Sequence, residues 1–424
     1  MGTFQVGLLL IGTFALLLAL SVPVSVSIII SSVVTMASTL SLDLGTFVAS
    51  QRMVGGVDSF SLLAVPFYIL CGVLMNTGGI AQKLIDFAKI LVGRIPGGLA
   101  HTNILGNTLF GSLSGSSVAA SVAIGGVLIP MEEKAVNIAS APTGLIIPPS
   151  GILIIYPVLA GCSVVGMIMS GYIPGLMWAL ACMVVAYVIA KKNHYPTAGK
   201  VPASVFFKYF VDAIPSLLLI VIIVGGVMSG IFTATESAAV AVAYTLFLSI
   251  VVYRSIKIKD LPKILLDACE TTAVIMFLIA GSNVMSFVMS FTGLPSAIGN
   301  ALISVSSNKY VILLIINLVL LVVGCFMDIT PAVLIFTPIF LPVVQSFGMD
   351  PIHFGIMMVM NLGIGNITPP VGSALFSGCS VADMDMEDMI KPILPFYAAI
   401  FVALMLVAYV PWFSMALPTL FGAV

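Results

Sequence analysis

Charge is what this sequence has least of. Only 7% of its 424 residues are Asp, Glu, Lys or Arg, against about 25% in a soluble domain. Fifteen basic and 16 acidic residues cannot cover the outside of a folded globule of this length. That shortage excludes a soluble enzyme, a nucleic-acid binder and a disordered scaffold. A net charge of -1 points to no charged partner. His101, His194 and His353 stand singly, so no metal cluster is suggested. Cys71, Cys162, Cys182, Cys269, Cys325 and Cys379 lie in apolar stretches without paired spacing, which excludes a disulfide framework or a zinc site. No G-x-x-x-x-G-K-[ST] occurs, and AGKV at 198–201 lacks the first Gly and the Ser or Thr. The chain therefore has no phosphate cradle for ATP. An intramembrane enzyme would need H-E-x-x-H or paired Asp residues at depth, and neither is present.

What is present is apolar: 60% of residues, with a mean hydropathy of +1.24. The fold class expected is an all-α polytopic membrane protein. A spanning helix needs about 20 mostly apolar residues. Full spans are predicted near 4–20, 22–42, 61–76, 136–160, 165–190, 214–231, 235–253, 271–290, 352–380 and 392–418. No small-x-small cleavage site follows a basic start, so the first span reads as a retained helix. Segments 80–94 and 255–268 mix Lys and Asp with Leu, Ile and Phe and suit the membrane surface. Basic residues cluster at Lys83, Lys89 and Arg94; at Lys191, Lys192, Lys200 and Lys208; and at Arg254, Lys257, Lys259 and Lys263. Placing all three clusters in the cytoplasm puts both termini on the opposite side.

Two apolar stretches do not fit as single spans. Residues 101–131 are broken by GSLSGSS (111–117), and residues 310–346 by FMDITP (326–331). Backbone freed at mid-depth is tolerated only where protein buries it or it lines a polar cavity. Each stretch therefore reads as a re-entrant helical hairpin, entering from opposite sides. The landmarks also recur in order. AVPFYILCG (64–72) echoes AVIMFLIAG (273–281), and TG follows at 77–78 and 292–293. GLIIPPSG (144–151) echoes GNITPPVG (365–372), and GCSV appears at 161–164 and 378–381. Interrupted apolar segments in corresponding positions of two halves mark an inverted-repeat secondary transporter. The expected division is N-terminal scaffold helices (1–60), a first repeat (61–190, hairpin 101–131, broken helix 136–160), and a loop with scaffold and surface helices (191–270). A second repeat with the last span follows (271–418, hairpin 310–346, broken helix 352–380).

The breaks carry the candidate chemistry. The tip Ser114-Gly115-Ser116-Ser117 faces the interrupted Thr143-Gly144…Pro148-Pro149 stretch, and their hydroxyls and freed carbonyls are hard oxygen ligands suited to Na⁺. Each Ser alone more often bonds back to its own helix. Asp328 is the only charged residue between Tyr310 and Met349. A charge at that depth costs roughly 2.5–3.5 kcal/mol. It precedes Ile329, Thr330 and Pro331, so helix capping is its expected structural role, with ion ligation compatible. Gly365, Asn366, Thr368 and Pro369-Pro370 supply the facing break. Glu236 and Glu270 read as interfacial caps. Arg52 is placed in a short outer loop where an anion could be attracted. The 23 Met residues read as core and lipid-facing filler.

These motifs resemble a known family. GSLSGSSVAASVAIGGVLIP, SAPTGLIIPPS, GIFTATESAAVAVAY, FMDITPAVLIFTPIFLPV and GNITPPVG are similar to the large membrane subunit of tripartite ATP-independent periplasmic (TRAP) transporters, over nearly the whole chain. NIASAPTGLIIPPS looks most like the sialic-acid branch. The resemblance implies a Na⁺-driven importer of an acidic sugar in the bacterial inner membrane, working as an elevator in which hairpins and broken helices move against a scaffold. It implies a small four-helix membrane subunit, expected as a separate chain, and a periplasmic substrate-binding protein. Carried over, the family's Na⁺ sites fall on Ser114 and Ser116 with Thr143, Gly144 and Pro148, and on Asp328 and Thr330 with Gly365, Asn366 and Thr368. Substrate is expected near Ser117, Pro149 and Pro370. The alternatives are a C4-dicarboxylate or other carboxylate substrate, or a stand-alone Na⁺/dicarboxylate carrier. Two departures stand out. MEEK (131–134) replaces a longer connection, so that Ser114 to Pro148 spans 34 positions against 41 from Asp328 to Pro369. Gly151-Ile152 also stands where the branch often has Asn-Thr.

Overall fold

The computed structural model describes residues 2–128, 134–194, 202–306 and 308–423. MEEK falls mostly outside them, as does Lys200. Among the described residues the chain is helical with no strand. Eight helical segments are long and apolar enough to cross a membrane.

The chain opens with α1 (Thr3–Ala19), α2 (Val24–Thr39) and α3 (Leu42–Val57). The first two match expected spans but are only 17 and 16 residues long. Arg52, expected in a loop, lies inside α3, with its guanidinium 4.3 Å from the centre of the Phe287 ring. Next come α4 (Ala64–Thr77), amphipathic α5 (Ile80–Val92), α6 (Gly98–Ser114) and α7 (Ser117–Leu128). The expected span 136–160 is three short pieces: α8 (Lys134–Ser140), α9 (Thr143–Ile146) and α10 (Ile152–Ala160). Then follow α11 (Val164–Ser170), α12 (Tyr172–Lys192), α13 (Ala203–Met228) and α14 (Ala234–Phe247). Glu236 caps α14 as expected, since its carboxylate accepts from the Thr233 N–H at 2.8 Å.

One expectation is corrected here. The surface helix 255–268 and the span 271–290 are a single helix, α15 (Leu261–Thr292). Pro262 starts it in the first turn, and no Gly or Pro interrupts it before Gly281. The division drawn between residues 270 and 271 therefore falls inside a helix. After α15 come α16 (Leu294–Val305), α17 (Lys309–Phe326), α18 (Ile329–Ser346), α19 (Pro351–Gly365) and α20 (Ser373–Ala382). The described chain ends with α21 (Met386–Tyr409) and α22 (Trp412–Leu420).

The two halves are fastened in the same way. In the first, α6 crosses the broken α8–α9 segment so closely that a Cβ on Gly144 would stand nearer than 3.0 Å to the Gly111 backbone. In the second, α17 crosses α19, and Gly365 meets the Gly324 backbone as tightly. Small residues allow this approach where helices have no hydrophobic drive to associate in lipid. Amides then lock each crossing. Asn107 Nδ2 donates to Asn137 Oδ1 at 3.0 Å and to Ser140 Oγ at 2.9 Å. Asn361 Nδ2 donates to Asn317 Oδ1 at 2.8 Å. Buried amides need such partners. These locks hold the interrupted segments where the site is built.

Candidate functional site

Four chain breaks converge. Between α6 and α7, Gly115 takes a φ of +63°, a conformation natural to glycine. Between α17 and α18 the break is Met327–Asp328. The non-helical links Ile147–Gly151 and Asn366–Gly372 interrupt the other two segments, and the Pro148–Pro149 and Pro369–Pro370 bonds are both cis.

A cavity of about 520 Å³ lies between the two tips and the helices α4 and α15. Its polar lining includes Asn76 and Thr77 of α4, Asp267 and Thr271 of α15, Asp328 and Thr330. Tyr68, Ser114, Ser116, Ser117 and Asn366 complete it. The first residues of α7 and α18, Ser117 and Ile329, stand in its wall. Helix N-termini present unpaired N–H groups and partial positive charge. Among the described residues lining the cavity there are two carboxylates and no Lys, Arg or His.

The expected site residues separate into those that reach the cavity and those that do not. In the first set, Ser114 and Ser116 line it, while Thr143, Gly144 and Pro148 do not. Ser116 Oγ accepts from the Ala119 N–H at 3.2 Å and so caps α7. Thr143 is fully buried and donates to the Ser140 carbonyl at 2.7 Å, while Gly144 serves the close crossing with Gly111. In the second set, Asp328, Thr330 and Asn366 line the cavity. Gly365 serves the crossing with Gly324, and Thr368 Oγ1 donates to the Ile364 carbonyl at 2.6 Å. Of the three residues placed near substrate, Ser117 lines the cavity and Pro149 and Pro370 do not.

Asp328 does not cap as expected. It occupies the N-cap position of α18, but its side chain makes no cap hydrogen bond. Its Oδ1 instead accepts from Ser373 Oγ at 3.1 Å. The reason is geometric: Ser373, the first residue of α20, also bonds Asn366 Oδ1 and so brings its hydroxyl across the break.

Asn366 is the joint between the halves. Its Nδ2 donates to Ser117 Oγ at 2.8 Å, its Oδ1 accepts from Ser373 Oγ and the Ala374 N–H, and its carbonyl accepts from Ala374 and Leu375. Every polar atom of that side chain is occupied.

Sequence reasoning missed Ser150, Ser373, Asp267 and Thr271. Ser150 is fully buried, and its Oγ has no hydrogen-bond partner. It packs behind the first tip, where a Cβ on Gly115 would meet Gly151 N at 3.0 Å and Ser150 Cα at 3.4 Å. A buried hydroxyl without a partner calls for an explanation, and an oxygen-seeking ion fits. Its signal was the Ser directly after Pro-Pro in GLIIPPSG.

A helical chain with several spans, paired interrupted helices and a hydroxyl-lined cavity at their breaks is a membrane permease in architecture. Residues 11–413 match the family "Tripartite ATP-independent periplasmic transporter, DctM component", and the chain belongs to that family. It is 49% identical over 425 residues to YgiK of Salmonella typhimurium, covering 98% of each chain. It is 39% identical to the sialic acid TRAP transporter large permease protein SiaM of Vibrio cholerae, covering 96% of each. It is also 39% identical to the C4-dicarboxylate TRAP transporter large permease protein DctM of Pseudomonas aeruginosa, covering 86% of this chain and 88% of that one. The fold is similar to that of the YdaH transporter of Alcanivorax borkumensis, with a TM-score of 0.58 at 14% identity over 87% of this chain and 88% of that one. The chain is a multi-pass inner-membrane transporter permease subunit.

Proposed function

We propose that this chain is the large permease of a Na⁺-coupled importer for an acidic sugar, with N-acetylneuraminate as the substrate to test first. The observation that carries this reading is the cavity bordered by both tips, Ser114–Ser117 and Asp328–Thr330. Among the described residues lining it an anion meets no cationic side chain, so its charge is left to the N-termini of α7 and α18 and to co-bound Na⁺. Bound Na⁺ supplies positive charge beside the carboxylate and ties substrate affinity to the ion gradient.

The residues in reach fit that ion. Ser114 and Ser116 line the first tip, and the unpartnered Ser150 packs behind it against Gly115. Asp328 and Thr330 gather at the second, with Asn366 holding the two tips together. Thr143, Gly144, Pro148, Gly365 and Thr368 contribute by shaping the breaks from behind. The two hairpins and two interrupted helices act as one moving unit against α1–α4 and α13–α15, in an elevator cycle within the lipid bilayer. A small four-helix membrane subunit and a periplasmic binding protein complete the system, in keeping with the tripartite family. The equal identity to a C4-dicarboxylate permease supports a second reading with the same mechanism and a dicarboxylate cargo.

The test is uptake into proteoliposomes holding both membrane subunits, with the binding protein outside. Labelled N-acetylneuraminate should accumulate only under an inward Na⁺ gradient. Equal uptake without Na⁺ would sink the coupling, and preference for a C4-dicarboxylate would move the substrate to the second reading.

A further inference from the structure

The cavity carries a second carboxylate that the ion sites do not use. Asp267 lies on α15, across the cavity from the tips, and is exposed. Among the described residues its carboxylate has no hydrogen-bond partner. Among the described residues the one ion pair is Lys83–Asp212, so Lys263, one turn before Asp267, stands outside ion-pair distance of it. Thr271, one turn later, lines the same wall. The Thr271 side chain donates its Oγ1–H to the Asp267 backbone carbonyl at 3.0 Å rather than to the carboxylate, which stays free toward the cavity.

We infer that Asp267 makes the cavity selective for a hydroxyl-bearing monocarboxylate over a dicarboxylate. This rests on the substrate reading above and deepens it. The tip side of the cavity suits an anionic group, because the N-termini of α7 and α18 face it. The α15 side offers an ionised acceptor with no donor of its own. A carboxylate accepts hydrogen bonds from hydroxyl and amide groups, so the far end of a sugar acid is held there. A second carboxylate at that end meets a like charge with no cation between them. The same wall that binds a polyol therefore rejects a diacid, which is specificity by a repulsive element as well as an attractive one. Sequence reading hid this because it divided α15 at residue 270 and left Asp267 on a separate surface helix.

The experiment measures direct binding to the two membrane subunits in nanodiscs, without the binding protein, in NaCl. The probes are N-acetylneuraminate and succinate. Wild type is expected to prefer N-acetylneuraminate by about tenfold, the scale of one like-charge contact across a wet cavity. Asp267→Asn should move the two affinities in opposite directions. Succinate should tighten about tenfold, and N-acetylneuraminate should weaken about threefold as its charged acceptor is lost. Asp267→Glu should keep the wild-type order. Added choline chloride should narrow the gap in wild type and leave it unchanged in Asp267→Asn. General damage to the fold would weaken both ligands together, and that outcome overturns the inference. So does an Asp267→Asn variant whose succinate affinity stays at the wild-type value while both ligands bind. If neither ligand binds wild type in Na⁺, the substrate reading itself fails and this inference falls with it.

Discussion

Asn366 Nδ2 donates to Ser117 Oγ at 2.8 Å, across 249 positions of sequence. That bond joins the break of the second half to the first helical residue after the break of the first. Breaks of two halves tied by one amide should respond to each other. Asn366→Ala and Ser117→Ala should each cost about 1 kcal/mol, and the double variant should cost less than their sum. Thermal unfolding of the four proteins measures this. Additive losses would show that the bond carries no coupling.

Asp328 is the only acidic side chain at either tip, and its carboxylate is held by Ser373 rather than spent on capping α18. Asp328→Asn should raise the Na⁺ concentration for half-maximal uptake at least tenfold at saturating binding protein. Ser373→Ala should give a smaller rise, because it frees the carboxylate without removing it. Unchanged Na⁺ dependence in Asp328→Asn would remove that residue from the ion site.

Gly144 and Gly365 permit the two backbone crossings against Gly111 and Gly324. Replacing either by Ala places a methyl group where backbone already stands. Each should destabilise the chain by about 1–3 kcal/mol. Gly126→Ala, where the added Cβ meets nothing within 4 Å, should not. Melting temperatures of the three variants decide this.

Much of the fold was legible in the sequence because lipid forces backbone to satisfy itself. The Gly and Ser run at 111–117 and the Pro pairs at 148–149 and 369–370 could only be breaks. The tip residues Ser114, Ser116, Asp328 and Thr330 were legible for the same reason. What stayed hidden depended on side-chain geometry across the chain. Nothing local says that Ser373 reaches Asp328, that Asn366 spends its whole amide on structure, or that Thr143 turns back to Ser140. Arg52 and Asp267 were misplaced because polar residues within a helix read as loop or surface when hydropathy alone sets the boundaries. Helix α15 is long enough to carry Lys263 and Asp267 at one end and still span the bilayer.

Ser150 offers a test that separates ion binding from packing. Its buried Oγ has no partner, so Ser150→Ala should be neutral or slightly stabilising in choline chloride. In NaCl the same variant should lose part of the ligand-linked stabilisation. Equal effects in both salts would make Ser150 a packing residue.

The most direct measurement is the melting temperature of the purified membrane subunits titrated with NaCl against choline chloride at matched ionic strength. Na⁺ binding at the two tips, as proposed, would stabilise the native state as its concentration passes the dissociation constant. A Na⁺-specific rise that saturates, and that shrinks in Asp328→Asn and Ser150→Ala, is the expected result. Identical curves in the two salts would contradict Na⁺ binding at these breaks.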